Sequence, residues 1–214
     1  MFDEIAKLYR KAEMGIIGNL SGALAEIPDE TCFYDTGYMQ SHVKKIQDEL
    51  KTIREDMKNN MEYGSGSASD QKYRKELLDR REHLVFNLIF LASNSFSNLE
   101  DCLKMADGYT FSFMACVEGL LCFQRGEKDN AYKILSVYIK KHGDVKEHFL
   151  INKVYGLLLK DKQEYSNAVA YITNSLQYIP DDEECLRALI ECYKSTAEHK
   201  KAEVVYSVLE LVKE

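Results

Sequence analysis

The 214-residue chain has no tryptophan, only two prolines and no Cys-x-x-Cys pair. Scarce proline leaves long stretches free to form helix, because the interruption that proline imposes on the hydrogen-bond ladder is missing. Without paired, closely spaced cysteines there is no zinc ribbon and no dithiol redox motif. No Gly-Lys-Ser/Thr triplet follows any glycine cluster and no nucleophile elbow occurs, so neither a phosphate-cradling loop nor a hydrolase serine is expected. The longest uncharged stretch, LVFNLIFLASNSFSNL at 84–99, has sixteen residues and is broken by Asn and Ser. A bilayer span needs about 20 apolar residues, so this stretch predicts a buried core helix and no membrane insertion.

An excess of positive charge is also missing. Acids outnumber bases by 12 to 8 up to Glu62, by 7 to 6 to Phe111 and by 16 to 14 beyond, for a net charge of -7. No region is a basic footprint, so direct nucleic-acid binding is not expected. The five histidines (His42, His83, His142, His148 and His199) are scattered; His142 and His148 read as an incidental surface pair, with no metal site and no cofactor expected. Two acids at Asp3 and Glu4 stand where an export signal would carry bases, and six separated cysteines suit a reducing compartment. The expected location is cytoplasmic.

What is abundant is Leu, Lys, Glu and Ala, which lose little side-chain freedom in a helix. The sequence predicts an all-α fold. Residues 2–26 carry helical apolar spacing that runs into a small-residue stretch ending at Pro28. From Asp35 to about Met61, apolar residues Met39, Val43, Ile46, Leu50, Ile53, Met57 and Met61 recur at steps of 4, 3, 4, 3, 4 and 4. The turn YGSGSAS at 63–69 follows, and Asp70 can cap a further helix carrying Tyr73, Leu77, Leu84, Leu88 and Leu91. The expected outcome is an antiparallel hairpin of about 36–61 and 70–99, within an amino-terminal region of 1–111. Its methionines fill either the hairpin's own core or an adaptable partner groove.

Beyond Phe111 the chain repeats itself. GLLCFQRGEKDNAYKIL at 119–135, GLLLKDKQEYSNAVAYI at 156–172 and IECYKSTAEHKKAEVVY at 190–206 align without gaps. In each, twelve residues separate the opening position (Gly119, Gly156, Ile190) from an alanine (Ala131, Ala168, Ala202), and a large residue follows one turn later at Leu135, Ile172 or Tyr206. Glycine meeting alanine would allow two antiparallel helices to approach closely. Gly126 marks the first turn between paired helices, while Pro180, Asp181 and Asp182 begin a helix with Glu184 placed for a capping box. The pattern resembles the tetratricopeptide repeat, with repeats at 112–145, 149–182 and 183–214. It departs from that family in lacking the Trp, where Ala115, Asn152 and Leu186 stand, and in having Ile190 in place of the third Gly.

The resemblance implies a short right-handed α-solenoid of about three helix pairs whose first helices line a concave, peptide-binding groove. Carried onto this chain, the lining includes Phe113, Cys116, Leu120 and Phe123 at an apolar end, then Leu157 with Lys153, Lys160, Arg187 and Lys194 as a basic stripe. The implied partner is a protein, and a peptide with acidic and apolar residues would match. The chaperone-tail clamp of some members is disfavoured, because Leu120, Leu157 and Glu191 stand where it needs its asparagine. On the last helix Val204, Val208 and Leu211 form a second apolar stripe with no polar capping helix after it, which predicts a docking or homo-oligomer face. A non-catalytic adaptor or scaffold is the expected function; a dedicated chaperone for a secreted or assembling substrate, or a constitutive subunit of a larger complex, are the alternatives.

Overall fold

A computed structural model describes residues 36–63, 66–142 and 148–212. The apolar spacing over 2–26 lies outside the described residues, as do the side chains of Met39, Val43 and Met61. The described residues form helices joined by short turns, with no strand among them. In chain order these are α1 (Thr36–Tyr63), α2 (Ala68–Ala92), a 3-10 turn (Phe96–Asn98), α3 (Leu99–Met105), α4 (Met114–Gln124), α5 (Lys128–His142), α6 (Phe149–Asp161), α7 (Tyr165–Leu176), α8 (Glu183–Ser195) and α9 (His199–Val212).

The hairpin forms from α1 and α2, and its core is Ile46 and Ile53 against Leu77, Leu84, Leu88 and Leu91, with Leu50 and Met57 packed at the margin. Tyr73, expected on this stripe, is 46% exposed. Arg80, which interrupts the apolar seam, points sideways and pairs with Glu49 across the hairpin. The α2 cap differs from expectation. Ser67 is the N-cap, accepting from the Asp70 N–H at 3.2 Å, and Asp70 accepts from the Ser67 N–H at 3.2 Å. Asp70 is therefore the inner half of a capping box.

The second arm also stops earlier than the expected residue 99. After Ala92 the sequence SNSFSN supplies side chains that bond the backbone locally: the Ser93 hydroxyl and Asn94 amide both donate to the Phe90 carbonyl, at 3.0 Å each. Such bonds compete with helix continuation. The chain turns through Phe96–Asn98 and enters α3.

From α4 onward three helix pairs, α4/α5, α6/α7 and α8/α9, are built to one local plan. Each first helix ends on a residue in the left-handed region: Gly126 (φ 81°), Gln163 (φ 63°) and Ala197 (φ 60°). The following N–H groups, of Glu127, Glu164 and Glu198, donate back to the carbonyls of Cys122, Leu159 and Tyr193 at 2.8, 2.9 and 2.8 Å. This is the Schellman closure, made three times. The carbonyl of the same glutamate then accepts from the N–H of Ala131, Ala168 or Ala202, starting the second helix of each pair. All three alanines are buried.

In the first two pairs the nearest approach to each glycine is made by the large residue one turn beyond the alanine. A Cβ on Gly119 would lie 2.9 Å from Cγ and Cδ2 of Leu135, and one on Gly156 would lie 2.7 Å from Cγ1 and 3.0 Å from the backbone N of Ile172. Each glycine is the socket for the large residue one turn beyond the alanine. In the third pair Ile190 fills its own socket, and Tyr206 is turned out, 52% exposed, instead of filling the core as expected.

Beyond the paired contacts, α5 packs on α6 and α7 on α8, while the first helices α4, α6 and α8 also touch in succession. Helix α6 is the hub, with Leu150, Ile151, Val154, Tyr155, Leu157, Leu158 and Leu159 all buried. One apolar core runs from Val85 and Ile89 of α2 through to Leu209 of α9, so the packing crosses residue 111 without a break.

Candidate functional site

Seven of the residues that the repeat register places on the first helices come together in one open cleft of about 440 Å³. These are Phe123 from α4, Leu157, Lys160 and Asp161 from α6, and Glu184, Arg187 and Glu191 from α8. Lys128, Glu183 and Ala188 complete the lining. Sequence reasoning missed Lys128 because it opens a second helix, and only the bend at Gly126 brings it over the cleft. The floor is apolar at Phe123, Leu157 and Ala188. Phe123 is fixed by stacking on Phe96, 6.2 Å between ring centres and 15° between planes.

The walls are not a basic stripe. Three cations (Lys128, Lys160, Arg187) face four carboxylates (Asp161, Glu183, Glu184, Glu191). Lys128 Nζ is 2.6 Å from Asp161, Lys160 Nζ is 3.0 Å from Glu191 and 3.4 Å from Asp161, and Arg187 is 2.9 Å from Glu183. Burial alone would lower the Lys160 ammonium's pKa, but the hydrogen bond and charge of Glu191 and the charge of Asp161 raise it. The expected steering of an acidic peptide by free lysines is therefore weakened at this cleft, since each of these cations already faces an acid of its own chain.

Lys153 stands apart from its expected role. It is only 15% exposed and holds Asp182 at 2.7 Å and Glu184 at 2.9 Å. Burial would lower its pKa; the hydrogen bonds it donates to the two acids, and their charges, outweigh that and raise it. Asp182 is at the same time the α8 N-cap, accepting from the Cys185 N–H at 2.9 Å. Glu184, expected to close a capping box, is engaged by Lys153 instead. The lysine joins α6 to the start of α8 and is a structural cation.

Three further members of the expected apolar end are not on the surface. Phe113, Cys116 and Leu120 are buried in the core. Phe113 is packed by α2, its ring 5.3 Å from Phe90 and 5.9 Å from Phe86. The reason is that α2 and α3 cover the face of α4 that the repeat register alone would leave open. Burial also pushes up the thiols, to about 11 for Cys102, about 12 for Cys185 and about 11 for Cys192, and Cys116 likewise, so these are core residues without thiolate character. Lys194 is exposed and does not line the cleft. On α9, Val204 and Leu211 are 40% and 56% exposed, whereas Val208 is buried against the third pair.

Cross-pair polar contacts hold the cleft's walls in register. Lys128 to Asp161, Lys162 to Asp129, Tyr132 to Glu164, Lys160 to Glu191 and Lys153 to Asp182 join residues 33, 33, 32, 31 and 29 apart in sequence. The first three tie α5 to the end of α6 and the turn after it, and the last two tie α6 to α8. Lys128–Asp161, Lys162–Asp129 and Lys160–Glu191 are exposed and add little to stability; their contribution is to orientation.

His148, expected as half of a surface pair, is fully buried at the N-cap of α6. Its Nδ1 accepts from the Ile151 N–H at 3.2 Å, and Nε2 lies 2.9 Å from the Ser93 hydroxyl, which donates to Phe90. The Phe90 ring meets it edge-on at 5.0 Å. His142 instead stacks on Tyr138 at the end of α5. Among the described residues no group of three or more His, Cys, Asp or Glu side chains is placed to hold a metal ion. None of the described helices is long and apolar enough to cross a membrane. Comparison of the chain with protein-family models, with curated proteins and with solved structures returns no match.

Proposed function

We propose that the protein is a non-catalytic scaffold of tetratricopeptide-like helix pairs that holds a segment of a partner protein in the cleft across α4, α6 and α8. The observation that carries this reading is the cleft itself: residues of three successive first helices line one open depression with an apolar floor. The three matching Schellman turns and the succession of first-helix contacts support a short α-solenoid. Walls carrying both signs of charge favour a segment of mixed polarity anchored by one apolar side chain over Phe123, Leu157 and Ala188. With the cations already opposed by acids, specificity comes from shape and from exchange of ion pairs more than from net attraction.

The test is quantitative affinity purification from the native source, comparing the full chain with a Phe123→Ser/Arg187→Glu variant. A partner recovered in stoichiometric amount with the wild type should fall at least tenfold with the variant, while circular dichroism and the thermal midpoint stay unchanged. Equal recovery would defeat the cleft reading. Lys153→Glu is unsuitable here, because it would set three carboxylates together under α8.

A second reading, a constitutive subunit docked through α9, is favoured by the exposure of Val204, Tyr206 and Leu211 on that helix. It expects self-association of the isolated chain in sedimentation experiments that Val204→Asp/Leu211→Asp abolishes. A strictly monomeric wild type that stays dispersed at high concentration would remove it.

A further inference from the structure

A second depression, of about 360 Å³, lies where α1, α2 and α3 converge, away from the cleft of the helix pairs. Its floor is apolar, made by Leu50, Val85, Leu88 and Met105. Arg54, Arg81 and Lys104 stand around it with a single carboxylate, Asp107. Lys104 is held by Asp101 at 2.9 Å on the outer side, whereas neither arginine has a carboxylate partner among the described residues. Arg81 instead rests over the Tyr109 ring, 5.9 Å from its centre, and Tyr109 stacks on Phe111 at 5.1 Å and 9°. The aromatic pair holds a guanidinium at the edge of an apolar hollow, which leaves its N–H fork available for a planar anion.

The contrast with the first cleft is chemical. There each cation of the lining has an acid of the same chain beside it; here two arginines do not, on a chain whose net charge is -7. An apolar floor beneath unpaired guanidinium groups is complementary to a large apolar side chain flanked by carboxylates. We infer that this hollow is a docking site for an acidic segment of a partner protein carrying one large apolar residue, which seats on Leu50, Val85, Leu88 and Met105 while its carboxylates bridge Arg54 and Arg81. An anionic membrane is a poorer match. The exposed faces of the hairpin alternate in sign, with Glu55, Glu76, Asp79 and Glu82 among the lysines and arginines, so a flat negative surface would meet as much repulsion as attraction. This site does not depend on the cleft of the helix pairs.

The experiment is panning of a random dodecapeptide display library on the full chain, with an Arg54→Glu/Arg81→Glu variant as the counter-target. Both arginines are exposed, and the thermal midpoint of the variant checks its fold. The expected result is enrichment, on the wild type alone, of peptides with a Leu, Phe or Met flanked by Asp or Glu. Individual enriched peptides should lose at least tenfold in affinity by fluorescence anisotropy on the glutamate variant. They should keep it on Arg187→Glu, recover part of it on Arg54→Lys/Arg81→Lys, and weaken with added salt. Enrichment without acidic residues, or equal enrichment on the glutamate variant, would overturn the assignment. So would arginine-dependent binding to phosphatidylcholine vesicles containing phosphatidylserine with no peptide enriched. If acidic peptides appear only after Glu26, Asp29 and Glu30 are changed to lysine, the occupant is the chain's own amino-terminal segment and the partner is overturned.

Discussion

At the scale of single residues, two positions concentrate the consequences. Gly156 makes a tighter socket than Gly119, because an added methyl there meets the backbone N of Ile172 as well as its side chain. Gly156→Ala should therefore lower stability by about 1–3 kcal/mol despite alanine's better helix propensity. Gly119→Ala should cost less, since the atoms it meets belong to the Leu135 side chain. Urea unfolding of the two variants measures the difference, and a costlier Gly119→Ala would show the sockets misread. His148 is the second position. Burial pushes its pKa down to about 3, against weaker upward effects of hydrogen bonds with the backbone of His148 and Phe90. The folded chain thus resists a proton that the unfolded chain takes up near pH 6.5. Stability from this group is complete above that pH and falls as pH drops through the window down to about 3. Between pH 7 and pH 5 the loss should be about 2 kcal/mol, and His148→Gln should flatten that slope. A wild-type stability unchanged over this range would contradict the buried neutral imidazole.

At the scale of elements, helix ends explain more than helix interiors. The same left-handed closure recurs after α4, α6 and α8, but only Gly126 is a glycine; Gln163 and Ala197 hold φ values of 63° and 60° with a Cβ in place. That conformation costs an L-residue roughly 1–2 kcal/mol, and glycine's greater loss of backbone freedom takes back part of the gain. Gln163→Gly and Ala197→Gly should each raise stability by about 0.5–1 kcal/mol, read as a higher urea midpoint with unchanged slope. A lowered midpoint would mean that these side chains contribute contacts outweighing the strain. Gly126 was legible as a turn in the sequence; its two counterparts were not, because neither Gln nor Ala signals positive φ. The amphipathic patterns were legible for the same reason that helices form: Ile46, Ile53, Leu77, Leu84, Leu88 and Leu91, steps of the sequence pattern, are buried between α1 and α2. The end of α2 was not, since a run of Ser and Asn is compatible with a helix until its side chains find the Phe90 carbonyl.

At the scale of the whole molecule, α2 joins the hairpin to the helix pairs: its Val85 and Ile89 belong to the core of the pairs, while the hairpin keeps a cluster of its own. Ser93 meets His148, the Leu150 N–H donates to Asn94 at 3.4 Å, and Phe86 and Phe90 pack on Phe113. The division at residue 111 that repeat periodicity draws is therefore not a division in packing. A fragment of residues 112–214 should fail to fold cooperatively, giving a broad thermal transition and strong binding of a hydrophobic dye, whereas the full chain should unfold in one transition. A sharp, reversible transition in the fragment would show that α2 and α3 are dispensable.

The sequence alone determined the helical class, the hairpin seam and the three-fold recurrence over 119–206, because each depends on the spacing of apolar and small residues along one chain. It also placed Phe123, Leu157, Lys160 and Arg187 among the groove positions of three first helices, and those four share one cleft. Tertiary packing decided which positions stayed open. Phe113, Cys116 and Leu120 occupy the same register as the open residues, yet they are buried in one core with Val85 and Ile89 of α2 and Leu99 and Cys102 of α3. Lys153 has the pattern of a surface cation, yet Asp182 and Glu184 close over it. Exposure and ion pairing are properties of a residue's neighbours in space, and those come from other segments of the chain, where a repeat's period carries no information about what lies on top of it.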